Sequence, residues 1–229
     1  MRDAHISIEP SILYFGTPVV LISTMNEDGS ANIAPMSSAF WLGWRCVLGL
    51  GSSSKTPQNM IRTGECVLNL PSIEEVEAVN RLACLTGSNP VPVNKVKRGY
   101  RYEPEKFEVA GLTPIPSETV SPPRARECPV QMEAVVAARH DLCEDGPWKG
   151  AQSAFEVRIQ RVHVRPDLIM DGFANRVDPD KWRPLIMSFQ EFYGLAPGKA
   201  HASTLGEIPE ALYRSPDVDR AKAIADIGS

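Results

Sequence analysis

The chain has 229 residues, with 24 Lys and Arg against 28 Asp and Glu, and a formal net charge of −4. Its hydrophobic fraction of 43% and charged fraction of 23% are typical of a globular protein of one or two domains. The negative charge argues against a general nucleic-acid surface, and no apolar run is long enough to span a bilayer. Residues 1–5 lack a signal-peptide pattern, so we expect a cytoplasmic protein with no nucleic-acid or membrane partner.

The first quarter of the chain alternates strand-like segments with turn signals. Pro18–Met25 is rich in β-branched residues and predicts a strand. Asn26-Glu27-Asp28-Gly29 is a strong turn, and residues 30–36 return as a second strand, which together predict a β-hairpin. Apolar runs predict two further strands, at 44–50 and 65–70.

The rest of the chain is less regular. Ser72-Ile73-Glu74-Glu75 is a capping box that predicts an amphipathic helix ending near Cys84. Residues 87–126 are rich in Pro, Gly, Lys and Arg and predict a long surface excursion with one helical turn at 107–112. The remaining predicted elements are a hairpin of strands 130–139 and 155–164, a helix near 188–193, and a peripheral tail at 206–229.

Strands at short spacing with few helices predict a mainly β fold (β with α), an antiparallel barrel that is closed or nearly closed. Peripheral helices and long loops would surround it. No crossover helices recur, which disfavours a doubly wound parallel sheet. The cysteines and histidines do not show the spacing of a disulfide framework or of a zinc site, so we predict no metal.

A candidate anion site lies between the predicted strand 44–50 and the predicted short helix 57–63. Thr56 is a favourable N-cap residue and Pro57 suits the first helical position. Ser52, Ser53 and Ser54 precede Lys55, so hydroxyls and an ammonium gather at a helix N-terminus, as a phosphate monoester requires. The alternatives are a loop that only caps the helix, and a nucleoside-triphosphate loop, which the serine in place of glycine at position 54 disfavours.

A second candidate segment is Asn32–Phe40, on the returning arm of the first hairpin. Pro35 cannot donate to a β-ladder, so we expect the pairing to break or bulge there. The small residues that follow would let a planar heterocycle approach the freed backbone groups. A ring site beside a phosphate site predicts a mononucleotide-like cofactor.

The chain resembles the flavin reductase-like proteins, which have an FMN-binding split barrel. The resemblance covers approximately residues 10–170 and is specific as a set of segments in matching order and spacing. Those segments are Pro18–Thr24, Asn26–Gly29, Asn32–Ser38, Lys55–Ile61, Gly64–Pro71 and Lys106–Thr113. The resemblance implies a domain over 1–170 and an extension over 171–229 that packs on the barrel or on a dimer partner.

The resemblance also implies an FMN site. Its ring-side residues would be Asn32, Ala34, Pro35, Met36, Ser37 and Ser38. Its phosphate-side residues would be Ser53, Ser54, Lys55, Thr56 and Asn59. The family is typically homodimeric, with the pocket near the subunit interface.

The implied activity is that of an NAD(P)H-dependent flavin reductase, which supplies reduced flavin to a partner oxygenase or another acceptor. Many such reductases carry a histidine turn between the last two barrel strands, and here Arg139-His140-Asp141 lies near that place and precedes an insertion. His140 is therefore either a catalytic contact or a plain loop histidine. Two other functions stay open: a non-catalytic FMN carrier or sensor, and a flavoenzyme acting on an unidentified small molecule. Four arginines of the excursion form either a solvated basic face or a phosphate site: Arg98, Arg101, Arg124 and Arg126.

Overall fold

The computed structural model describes residues 5–227, and the side chains of residues 5–225. Residues 1–4, where the sequence shows no signal pattern, and residues 228–229 of the predicted tail lie outside the described residues. The strands are β1 (Phe15–Pro18), β2 (Val20–Met25), β3 (Ala31–Met36), β4 (Ala39–Leu42), β5 (Arg45–Gly51), β6 (Glu65–Leu70), β7 (Leu85–Thr86), β8 (Arg101–Tyr102), β9 (Pro114–Ile115), β10 (Arg124–Ala125), β11 (Val130–Asp141), β12 (Gln152–Val164), β13 (Ile186–Ser188) and β14 (Glu191–Tyr193). The helices are α1 (Lys55–Thr63), α2 (Val76–Leu82), α3 (Val93–Val96), α4 (Lys106–Ala110) and α5 (Pro216–Ile227), with 3-10 turns at Ile73–Glu75, Pro166–Leu168, Thr204–Glu207 and Glu210–Tyr213.

A seven-stranded antiparallel sheet forms the body of the described chain, in the order β3-β2-β6-β11-β12-β5-β4. Its two edge strands, β3 and β4, are separated in sequence only by Ser37 and Ser38. One apolar core contains Val20 and Ile22 of β2 together with Ala39 of β4 and Leu48 of β5. Because these strands stand near opposite edges of the sheet, the sheet must wrap around that core. The fold is therefore mainly β, a barrel split between β3 and β4, as predicted.

The outer face of the barrel carries a second apolar layer. Alternation along β2 places Leu21 on the opposite face from Val20 and Ile22, and all three side chains are buried. Leu21 packs with Val79 of α2 and with Phe107 of α4. The predicted capping box is confirmed, since the Ser72 N–H donates to Glu75 Oε2 over 2.7 Å. The predicted helix that follows it is α2. The predicted helical turn at 107–112 is α4.

Glu133 on β11 holds the excursion 113–126 against this face. Its fully buried carboxylate accepts hydrogen bonds from the N–H groups of Glu118 (2.9 Å) and Thr119 (2.6 Å) and from the Thr119 hydroxyl (2.6 Å). His163 Nε2 lies 2.8 Å from Glu133 Oε1, and Arg124 Nε lies 3.7 Å from it. Burial alone would raise the pKa of Glu133, but the His163 and Thr119 bonds outweigh burial and lower the pKa to about 2.

Three sequence predictions were wrong in detail. The predicted helix near 188–193 is the hairpin β13–β14, in which Phe189 and Gln190 adopt positive φ angles of 45° and 69° in a two-residue turn. Pairing of β13 with β1 favours this hairpin. The Phe15 and Phe189 rings meet edge-on, with their centroids 4.7 Å apart. The N-cap position of α1 is occupied by Ser54, so neither Thr56 nor Pro57 is at its predicted position. The β2–β3 register runs without interruption through Pro35, because an edge strand tolerates proline.

Leu185 and α5, both beyond residue 170, pack on the barrel. The Val19 N–H donates to the Leu185 carbonyl over 2.9 Å, and α5 lies along β12. Arg45 of β5 bridges Asp217 of α5 (2.9 Å) and Glu156 of β12 (2.5 Å). The division of the chain into a domain over 1–170 and an extension over 171–229 stays a prediction. No helix within residues 5–227 combines the length and apolar character that crossing a membrane requires.

Glu133 predicts a defined pH dependence of stability. Its pKa of about 2 lies below the ordinary value of 4.5, so the ionised carboxylate stabilises the fold fully above 4.5 and this contribution is lost as pH falls toward 2. Glu133→Gln should lower the free energy of unfolding at neutral pH by about 2–4 kcal/mol and flatten this acid limb. Urea unfolding at several pH values measures both effects. The control is Glu118→Gln, whose side chain is 55% exposed, and an equal loss in both variants would contradict the assignment.

Candidate functional site

The serine loop, residues 52–54, starts where β5 ends and is hydrogen-bonded to the start of the neighbouring strand β12. The Ser52 N–H donates to the Ala151 carbonyl (3.0 Å), and the Ser52 hydroxyl lies 3.1 Å from the Ser153 hydroxyl. The Ser54 N–H donates to the Gly51 carbonyl over 3.0 Å, which closes a tight turn. Ser53 is exposed at its tip. This geometry fixes the loop backbone and leaves the Ser53 side chain directed toward solvent.

Helix α1 begins directly after this loop. Its N-cap residue Ser54 has extended backbone angles (φ −84°, ψ 152°), and its hydroxyl makes no capping bond within the described residues. The first N–H groups of any helix lack intrahelical partners, so this end offers donors to an anion. No acidic residue stands in the first turn, which keeps the positive end of the helix dipole uncompensated there.

A buried polar network joins α1 to the β2–β3 hairpin. The Thr24 hydroxyl accepts hydrogen bonds from the side-chain amides of Asn32 (3.2 Å) and Asn59 (3.0 Å). The Asn32 amide also donates to the Thr56 hydroxyl (3.3 Å), and the Asn59 amide to Asn26 Oδ1 (2.9 Å). Asn59 is fully buried, so its contacts favour a role in positioning α1 over direct ligand contact. The serine loop is thereby held beside the edge strand β3.

Lys55 is the cation of the corner formed by the serine loop, the start of α1 and Asn32 of β3. Its ammonium is already paired with the carboxylate of Glu27. Its ammonium lies 2.6 Å from Glu27 Oε2, in the β2–β3 turn. Arg62 Nε lies 4.0 Å from the other oxygen of the same carboxylate. The hydrogen bond from Lys55 lowers the pKa of Glu27. An anionic ligand at the serine loop would compete with Glu27 for the Lys55 ammonium.

A cleft of about 240 Å³ opens beside Lys55. Its wall residues come from the β2–β3 turn, from Asn32 and Lys55, and from the excursion: Asn26, Glu27, Asp28, Ser30, Asn32, Lys55, Gly87, Asn89, Tyr102, Glu103 and Pro104. Gly87 is in close contact with this corner, since a Cβ there would stand 2.6 Å from Asn32 Oδ1 and 3.3 Å from Lys55 Cγ. Asn32 Oδ1 is buried without a hydrogen-bond partner among the described residues.

The ring-side residues lie along the split. Ala34, Pro35 and Met36 are half-buried on the edge strand β3, whose outer side pairs with no other strand of the described chain. Ser37 and Ser38 cross to β4, and the Ser38 carbonyl accepts from the Gly49 N–H over 2.8 Å. A Cβ at position 49 would lie 3.1 Å from Ser38 Cβ, so glycine permits this approach. The open edge offers backbone groups and little side-chain bulk to a flat ligand.

His140 is separate from these residues. It is exposed on β11, opposite Ala154 in the β11–β12 ladder, and it does not line the cleft. Of the four arginines, Arg124 donates to the Pro116 carbonyl (2.9 Å) and helps fix the excursion. The sequence did not single out Thr24, Asn26 or Gly87. Asn26 stood in the predicted turn, but only its proximity to Asn59 in three dimensions shows what its side chain does.

Comparison with known proteins decides the family. The family model described as "Flavin reductase like domain" matches residues 12–196. The chain belongs to the flavin reductase-like family. An uncharacterized protein of Bacillus subtilis (strain 168), YdfE, is 40% identical over 188 residues, which cover 82% of this chain and 88% of that protein. Another relative, the uncharacterized protein BH2278 of Halalkalibacterium halodurans, is 29% identical over 188 residues, covering 77% and 80% of the two chains.

Solved structures share the fold. Flavoredoxin of Desulfovibrio vulgaris (Miyazaki F) superposes with a TM-score of 0.69 at 23% identity, covering 88% of this chain and 99% of that chain. Nitrilotriacetate monooxygenase component B from Bacillus cereus gives a TM-score of 0.68 at 23% identity, covering 87% and 100%. These structures support the split-barrel fold.

Gly87 provides a test of the corner geometry. Gly87→Ala should lower the free energy of unfolding by about 1–3 kcal/mol, because the new Cβ meets the buried Asn32 amide and the Lys55 stem. Thermal unfolding measures the change. The matched control is Gly146→Ala, where a Cβ meets nothing within 4 Å and which should be neutral. Equal stability of the two variants would show that the packing around Gly87 has room for a methyl group.

Proposed function

We propose that this protein binds FMN and acts as an NAD(P)H-dependent flavin reductase. The observation that supports it best is the Asn32–Thr56 hydrogen bond, because it brings the start of α1 and the serine loop beside the open edge strand β3. A phosphate at the loop and a ring along the edge would then belong to one ligand. Ser53, Ser54 and Lys55 are the residues we assign to the phosphate, with Thr56 and Asn59 fixing the helix that presents them.

The residues present fit FMN at both ends. Hydroxyls, free helix N–H groups and one ammonium suit a phosphate, and the unpaired strand edge at Ala34–Ser38 suits the hydrogen-bonding rim of an isoalloxazine. When bound, FMN would supply the redox chemistry by accepting hydride from the nicotinamide. The chain's own part is to bind and orient the ring. The backbone N–H groups near Ser37 and Ser38 would stabilise the negative charge that develops upon reduction.

The partners are part of the proposal. We infer a homodimer in the cytoplasm that passes reduced flavin to an oxygenase or another acceptor. One structural neighbour is a monooxygenase component, and another is the NADH:FAD oxidoreductase SgcE6 of Streptomyces globisporus C-1027, with a TM-score of 0.56 at 11% identity. Both activities are compatible with this assignment.

A carrier of bound FMN is the second candidate. Three carboxylates stand at the cleft, those of Glu27, Asp28 and Glu103, and they would repel the pyrophosphate of a nicotinamide dinucleotide, whereas the FMN phosphate would lie at the serine loop. His140, the candidate nicotinamide contact, does not line the cleft. The same scaffold would then hold a flavin for electron exchange with a protein.

Stopped-flow mixing separates the two functions. The purified protein, loaded with FMN, should lose its flavin absorbance when mixed anaerobically with NADH or NADPH, because the donor reduces the ring. Dithionite serves as the positive control for complete reduction. Flavin that dithionite bleaches but neither nicotinamide reduces would reject the reductase and favour the carrier.

The Lys55–Glu27 pair predicts opposite effects on FMN affinity. Lys55→Ala should weaken FMN binding about tenfold or more, since a charge-assisted contact with the phosphate is lost. Glu27→Gln should tighten it about two- to fivefold, because the ammonium no longer has an internal competitor. Fluorescence titration measures both, with Lys149→Ala on the exposed β11–β12 tip as the control. The phosphate assignment is wrong if Lys55→Ala binds FMN as the wild type does.

A further inference from the structure

The cleft beside Lys55 has an excess of negative charge. Glu27, Asp28 and Glu103 line it, and among the described wall residues Lys55 is the only cation. The Lys55 ammonium is paired with Glu27 over 2.6 Å. Within the described part of the chain, no cation lies within salt-bridge distance of Asp28 or Glu103. Two carboxylates at the cleft therefore lack a counter-charge.

The base of the cleft presents a hydrogen-bond acceptor that has no donor. Asn32 is only 1% exposed, and its amide nitrogen donates to the hydroxyls of Thr24 and Thr56. Its Oδ1 has no partner among the described residues and lies against Gly87 of the cleft wall, 2.6 Å from where a Cβ would stand. A buried carbonyl oxygen is costly to leave unpaired. A ligand that donates hydrogen bonds would satisfy it.

An aromatic ring completes the wall. Tyr102 of β8 lines the cleft and is 42% exposed. Its position is fixed by the parallel pairing of β8 with β7, in which Tyr102 stands opposite Thr86, and by the Glu103 N–H, which donates to the Thr86 carbonyl over 2.9 Å. Aromatic rings attract organic cations, and carboxylates supply the opposite charge.

The arrangement of these carboxylates suits an organic cation better than a metal ion. Within residues 5–227, no three carboxylate, histidine or cysteine side chains come together as a metal ion would require. The carboxylates are instead spread around a cleft of about 240 Å³, which is large enough for a small organic molecule. An aliphatic ammonium has three N–H donors and a full positive charge, and so matches both the acceptor and the carboxylates.

We propose that the cleft binds the ammonium groups of an aliphatic amine. Asp28 and Glu103 would supply the counter-charges, and Asn32 Oδ1 would accept a hydrogen bond. Tyr102 would form the aromatic wall. The biological meaning of this site, an amine-bearing substrate or electron acceptor of the flavin, rests on the proposed function, whereas the binding itself does not.

Putrescine is the probe, and its uncharged analogue 1,4-butanediol is the matched control. Calorimetry of the flavin-free protein at fixed ionic strength should show saturable binding of putrescine and none of the diol, because the cleft recognises charge. The site is overturned if putrescine does not bind, or if the diol binds equally well.

Two variants remove the charge of the cleft and keep its hydrogen bonds. Glu103→Gln retains an oxygen for the Glu105 N–H (3.0 Å), and Asp28→Asn retains one for the Ser30 N–H (2.9 Å). Each should weaken putrescine binding about three- to tenfold. The control is Glu105→Gln, which removes the same charge from an exposed position outside the cleft wall. An equal loss in this control would show that net charge alone attracts the amine.

Lys55 gives a test with the opposite sign. Lys55→Ala should tighten putrescine binding about two- to fivefold, because it releases Glu27 and removes a repelling cation, while it weakens FMN binding. Weaker putrescine binding in this variant would contradict the placement of the amine beside Lys55.

FMN separates this inference from the proposed function. A phosphate that draws Lys55 away from Glu27 should tighten putrescine binding, and putrescine should tighten FMN binding by the same factor. Competition between the two ligands would overturn a separate amine site. Putrescine binding without FMN binding would reject the proposed function alone, and FMN binding without putrescine binding would reject the amine site alone.

Discussion

The hydroxyl of Thr24 is the point on which the site geometry depends. It accepts hydrogen bonds from Asn32 on the edge strand and from Asn59 on α1, so strand and helix share one buried acceptor. A polar network in a dry interior is stable only when its members are placed correctly, which makes the relative position of α1 and β3 specific. The serine loop leads directly into α1, so its position relative to β3 is fixed by the same hydrogen bonds. A change in this network would move the candidate phosphate loop relative to the open edge.

The split itself follows from short connections. Only Ser37 and Ser38 separate β3 from β4, so the chain leaves one edge of the sheet and enters the other without a third strand to pair the gap. An unpaired edge usually invites aggregation and must be covered. Here α4 packs on the outer face of the adjoining strands and the 87–89 segment meets β3 at Asn32. The result is a partly covered edge with backbone groups still available.

Charge is distributed unevenly around this edge. The cation of the serine loop is paired with Glu27, whereas no carboxylate of the described residues lies within salt-bridge distance of Lys95 or Lys106. Arg124 of the same excursion lies 3.7 Å from Glu133. Glu133 also binds the backbone N–H groups of Glu118 and Thr119, and it thereby holds this part of the excursion against the barrel wall. Another part of the excursion lines the cleft, and its Gly87 lies against Asn32 and Lys55.

Local patterns in the sequence determined much of the barrel. The β-branched run Pro18–Met25, the turn at Asn26–Gly29 and the serine loop after an apolar run predicted the hairpin and the strand-to-helix loop, because each depends on neighbouring residues. The tertiary structure alone decided what depended on distant contacts. Residues 188–193 became a hairpin because β1 offered a partner strand, Asn59 turned inward toward Thr24, and the side chains of Glu133 and Lys106 became buried. Burial and pairing across long separations are properties of the packed chain, and no short window of sequence contains them.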